Sequence, residues 1–135
     1  MNIGIFYMSR TGNTKRFAQA IAEQTKAPLY DLTTTQPSET QKFDVLILGT
    51  PVEGSSPAKE TTAFIDAMPR VEGKKAILFS TYKIFGNMRT MKAMEKKLTN
   101  KGYTTLLMVS KKGMTPGKTI DFSEALAEVK KTLEK

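Results

Sequence analysis

The stretch FYMSRTGNTKRF, residues 6–17, leaves an apolar run, crosses a patch of small and polar residues, and enters an amphipathic pattern. A strand that passes through a polar loop into a helix brings free backbone N–H groups and the positive end of the helix dipole to one place. Ser9, Thr11 and Thr14 add hydroxyls, Asn13 an amide and Arg10 a full positive charge, with Lys15 and Arg16 close by; Gly12 lets the backbone come near a ligand. Those groups suit an anion, and a phosphate above all.

Working outward, the apolar run Ile3–Tyr7 has three counterparts, Val45–Leu48, Ala76–Phe79 and Leu106–Val109, and a weaker one in Pro28–Leu32 that suits a sheet edge. Continuous rather than alternating apolarity predicts strands buried on both faces, as in a parallel sheet covered by helices. Helical spacing falls between them. Phe17, Ala18, Ile21 and Ala22 form one face, and Ser56 followed by Pro57 predicts the cap and first position of a helix running through Phe64 and Met68. Met88, Met91, Met94 and Leu98 form a third face, read as packing on the sheet rather than as a binding groove. Phe122, Ala125, Leu126, Val129 and Leu133 form the last, with Asp121 and Glu124 placed like a capping box. The alternation predicts one α/β domain over residues 1–135, a five-stranded parallel sheet of order 2-1-3-4-5 between two helical layers. In such a sheet ligands bind at the carboxyl ends of the strands, near the switch between the first and third.

Composition narrows the chemistry. The 135 residues include no Cys and no His, which excludes thiolate nucleophiles, imidazole acid–base catalysis and the usual zinc sets, so redox or group-transfer chemistry would come from a cofactor. No run approaches the ~18 apolar residues of a spanning helix and no signal-like start is evident, so a cytoplasmic protein is expected. Net charge is +8, unevenly placed: residues 1–73 hold 7 basic and 8 acidic side chains, residues 74–135 hold 14 and 5. The basic half favours acidic partners and also suits nucleic acid or an anionic membrane surface, with solvated lysines on helix faces the plainer reading for KKLTNK and VKKTLEK. Without an aromatic platform or a recognisable motif among its lysines, nucleic acid is disfavoured as the partner.

The loop SRTGNT, Ser9–Thr14, is similar to the phosphate-binding loop of the flavodoxin family, with the pattern Ser/Thr-x-Thr-Gly-Asn-Thr, and it sits in the same strand–loop–helix context. The resemblance implies a flavodoxin-like three-layer sandwich of the short-chain kind and noncovalent FMN, its phosphate held by Ser9, Arg10, Thr11, Gly12, Asn13 and Thr14. It further implies that GTPVEGSSP, residues 49–57, and STYKIFGN, residues 80–87, flank the isoalloxazine ring. Thr50, Pro51, Val52, Glu53 and Gly54 are carried over as the first ring loop, Ser80, Thr81, Tyr82 and Gly86 as the second. Tyr82 is the stacking candidate, with a partly exposed loop aromatic as the plainer reading and Phe85 next in line. The Glu53–Gly54 peptide could offer its carbonyl to the flavin N5–H, while the Glu53 side chain reads equally as a solvated loop charge. Two departures stand out: the first ring loop has no aromatic residue, and Lys83 stands where acidic residues are frequent in the family. The function implied is an electron-transfer flavoprotein shuttling electrons between redox proteins, here with an acidic docking surface on the partner. The alternative is an FMN-dependent oxidoreductase of the quinone reductase or protoporphyrinogen-oxidising kind.

Overall fold

The computed structural model describes residues 2–113 and 120–134; Lys118 and Lys135 of the basic half lie outside them. Strand β1 (Ile3–Tyr7) leads into helix α1 (Asn13–Thr25), then the short strand β2 (Leu29–Asp31) and two 3-10 turns. Next come strands β3 (Val45–Glu53) and β4 (Ser56–Pro57), helix α2 (Lys59–Ala67), strand β5 (Lys74–Tyr82), helix α3 (Asn87–Asn100), strand β6 (Tyr103–Lys112) and helix α4 (Ser123–Leu133). The parallel sheet has the order β2-β1-β3-β5-β6, with β4 paired antiparallel to the end of β3. Leaving that small hairpin aside, this is the predicted order.

Why the sheet is buried on both faces is visible in its side chains. Phe6, Met8, Leu46, Leu48, Ala76 and Leu78 pack with Phe64, Ile65, Met91, Met94 and Leu98 from α2 and α3. On the other face Ile5, Tyr7, Ile47, Ile77 and Phe79 pack with Phe17, Ala18 and Ile21 of α1 and Ala125 and Val129 of α4. Successive strand residues serve opposite faces, so each central strand must be apolar along its whole buried length. The edge strand β6 is interrupted between its pairings with Ala76 and Ile77, where Leu106 is the extra residue of a bulge.

Three local expectations are corrected. Ser56 and Pro57 do not start a helix: they pair with Glu53 and Val52, and α2 begins at Lys59 without a side-chain cap. The hairpin wins because Gly54 and Ser55 both take positive φ, 58° and 63°, which is what a two-residue turn between twisted strands requires. Met88 falls outside the buried stripe and is 50% exposed, whereas Met91, Met94 and Leu98 are buried. At α4 the capping box is not made: the N-cap is Phe122, and Asp121 Oδ1 accepts the Ser123 N–H at 2.9 Å rather than that of Glu124.

Among the described residues no helix is long and apolar enough to cross a membrane.

Candidate functional site

Three loops meet at the carboxyl edge of β1, β3 and β5. They enclose a cleft of about 280 Å³ lined by Arg10, Thr11 and Asn13 from the first loop, Pro51, Val52 and Glu53 from the second, Thr81, Tyr82 and Lys83 from the third, and Gly113 after β6. Its volume falls near the lower end of small-ligand pockets, about 300 Å³.

The first loop is organised around Ser9. Its Oγ accepts the N–H of Gly12 at 3.1 Å and of Lys15 at 3.2 Å, which bends the chain from β1 into α1. The N–H groups of Thr11, Asn13 and Thr14 find no acceptor among the described residues, and Gly12 at the helix start supplies no capping side chain. Helix α1 therefore presents open donors and its positive dipole end beside the cleft. The Thr11 side chain is exposed; that of Thr14 is buried and shares a hydrogen bond of 2.7 Å with Thr81 Oγ1, tying the first loop to the third. Asn13 Oδ1 accepts from Arg16 Nη2, and the Arg16 guanidinium lies beside Gly12. Arg10 reaches the other way, to Glu53 and Glu60.

The second loop is braced from below. Thr50 is fully buried; its Oγ1 accepts the Ala58 N–H at 3.1 Å and pairs with Thr61 Oγ1 at 2.9 Å, so its side chain fixes the hairpin to α2 while Pro51, Val52 and Glu53 line the cleft. The third loop carries Tyr82, half-buried on the wall, then Lys83 and the exposed Ile84 and Phe85. Ser80 is buried, and its Oγ has no hydrogen-bond partner among the described residues. The second and third loops touch where Gly86 lies against Ser55: a Cβ on Gly86 would stand 2.8 Å from the Ser55 Cα. Gly54, at the tip of the hairpin, is exposed.

Sequence reasoning did not find two participants. Gly113 lines the cleft and donates its N–H to the Tyr82 carbonyl; a glycine directly after the last strand was the available signal. Glu60 enters through Arg10, and nothing local marks it. The donor set fits a phosphate at the start of α1 and a planar polar ring between the second and third loops. Among the described residues no group of three or more carboxylates or other ligands could hold a metal ion.

Comparison with known proteins agrees with this architecture. A flavodoxin-domain family model matches residues 4–131. The chain is 30% identical over 112 residues to a flavodoxin of Megasphaera elsdenii, covering 77% of this chain and 81% of that protein. Oxidised Flavodoxin 1 from Bacillus cereus superposes with a TM-score of 0.82 at 21% identity over 99% of this chain and 98% of its own. The solution structure of the two-electron reduced Megasphaera elsdenii flavodoxin gives 0.69 at 25% identity, over 87% and 90%.

Proposed function

The chain belongs to the flavodoxin family, and on that premise we propose that it binds FMN noncovalently and carries electrons between redox proteins. The observation that supports this most is the start of α1, where the open N–H groups of Thr11, Asn13 and Thr14 and the exposed Thr11 hydroxyl adjoin the cleft. These groups, with Ser9, Gly12 and the Thr14 hydroxyl, would hold the phosphate. Thr50, Pro51, Val52, Glu53 and Gly54 on one side and Ser80, Thr81, Tyr82 and Gly86 on the other would hold the ring, Thr50 and Ser80 acting from buried positions beneath it. When bound, FMN supplies one- and two-electron redox chemistry. The chain itself binds, orients and shields: α1 fixes the anionic end, Tyr82 offers a flat face, and Pro51 and Val52 keep water from one wall. Mixing the purified chain with FMN should shift and sharpen the visible flavin absorption; a spectrum identical to free FMN at saturating protein overturns the reading.

Tyr82→Ala tests the ring side. Loss of a stacking partner costs about 0.5–1.5 kcal/mol beyond the area it covers, so FMN should bind up to roughly tenfold more weakly and recover fluorescence that the wild type quenches. Unchanged affinity and fluorescence would move the stacking role to another side chain.

Charge supports an acidic redox partner. Ile84 and Phe85 stand 75% and 71% exposed beside the cleft. Lys83 and Arg89 flank them in the chain, and Lys111 and Lys112 pair across from Thr81 and Tyr82. An apolar tip among cations suits a partner with an apolar centre and an acidic rim. Electron transfer to such a partner should slow as salt rises from about 0.01 M to 0.15 M, because the Debye length shrinks from about 30 Å to 8 Å. Rates indifferent to ionic strength would return the basic half to plain solvated surface.

A further inference from the structure

Arg10 belongs by sequence to the phosphate loop, yet its guanidinium is committed elsewhere. Nη2 donates to Glu53 Oε1 at 3.0 Å and to Glu60 Oε1 at 2.8 Å, Nη1 donates to Glu60 Oε2 at 3.0 Å, and Nε donates to Glu53 Oε2. All four carboxylate oxygens are engaged by one side chain. Hydrogen bonding to Arg10 holds the Glu60 carboxyl below its ordinary range. Glu60 lies in the first turn of α2, whereas Glu53 is the last residue of β3, lines the cleft and immediately precedes the Gly54–Ser55 turn. The arginine beside the open donors of α1 is Arg16, next to Gly12 and bonded to Asn13.

We infer that Arg10 is a positioning residue for the ring end of the flavin site: it pins Glu53, and with it the Gly54–Ser55 turn, and neutralises a carboxylate on the cleft wall. Phosphate recognition is left to backbone N–H groups, hydroxyls and Arg16. This rests on the FMN reading above. Forked pairing fixes direction as well as distance, which a lysine ammonium cannot reproduce against two carboxylates. An unneutralised Glu53 on the cleft wall would disfavour the extra negative charge that a bound flavin would carry when reduced.

The test compares Arg10→Gln, Arg10→Lys and Arg16→Gln in the full chain, each titrated with FMN and with riboflavin, which has the ring without the phosphate. Arg10→Gln should weaken both flavins about equally, by about fivefold, the size of a well-formed exposed ion pair, so their affinity ratio stays at the wild-type value. Arg16→Gln should shrink that ratio. Arg10→Lys should not rescue the Arg10→Gln loss. The two-electron midpoint potential should become more negative in Arg10→Gln and return toward wild type when Glu53→Gln is added. In the flavin-free chain the Ala58 amide, bonded to Thr50 Oγ1 at the base of the hairpin, should exchange faster in Arg10→Gln. A variant that loses FMN affinity while keeping riboflavin affinity makes Arg10 a phosphate ligand and overturns the inference, as does an unchanged potential. If the wild type binds neither flavin, the FMN reading itself fails, and amide exchange at Ala58 still reports whether Arg10 pins the hairpin.

Discussion

Replacing Thr11 and Thr14 together by alanine is expected to weaken FMN binding by about 2–5 kcal/mol while leaving riboflavin binding nearly unchanged, since hydrogen bonds to a charged group exceed neutral ones in strength. Thr11 is exposed at the cleft and free to turn its hydroxyl toward an anion. Thr14 is different, being buried and 2.7 Å from Thr81 Oγ1. A hydroxyl both donates and accepts, so when Thr81 donates to Thr14 the Thr14 proton remains available to a phosphate oxygen. Its removal also strands the Thr81 hydroxyl, a cost present in the flavin-free and flavin-bound chain alike, so it lowers stability rather than affinity. Titrating both ligands against the same variant therefore separates the phosphate contribution from the structural one, and equal losses for FMN and riboflavin would contradict the assignment.

Gly86→Ala should be comparably damaging for another reason. Gly86 has φ 95°, a conformation that costs an L-residue roughly 1–2 kcal/mol. The new methyl would also stand 2.7 Å from Ser55 Oγ and 2.8 Å from Ser55 Cα. The second of these is backbone in a tight turn and cannot swing aside as a flexible side chain would; such overpacking costs about 1–3 kcal/mol. Urea unfolding should show a lower midpoint at unchanged slope, by about 2–5 kcal/mol in all. Relief by parting the two loops would weaken FMN and riboflavin together. A midpoint equal to wild type would mean that the loops do not depend on this contact.

The site's main outline was legible in the sequence because its signals are local. Ser9 to Thr14 stands between an apolar run and a helical pattern, and that context is enough to place donors at a helix start. Apolar runs likewise located the strands, but shortened them: β3 continues through Gly49, Thr50 and Pro51 because these pair with Phe79, Ser80 and Thr81, and cross-strand pairing does not require apolar side chains. Ser56–Pro57 misled for a related reason. A Ser-Pro helix start is a propensity, and the Gly54–Ser55 turn with its strand pairing overrode it. Arg10 shows the limit most clearly. Its partners lie 43 and 50 positions away, and only the folded sheet brings them within reach.

The far side of β6 bears on how the molecule behaves in company. Ten residues long, β6 pairs with β5 along one flank, and among the described residues no strand covers the other. A row of open peptide groups of that length invites a second molecule to add its own strand, the first step toward self-association. Three features discourage it: Lys111 and Lys112 close the strand with like charge, the bulge at Leu106 breaks the even spacing an incoming strand would need, and the net charge of +8 keeps copies apart. The lysines near the cleft thus guard against aggregation as well as attracting partners, and trading them for neutral residues to tune docking would remove that protection.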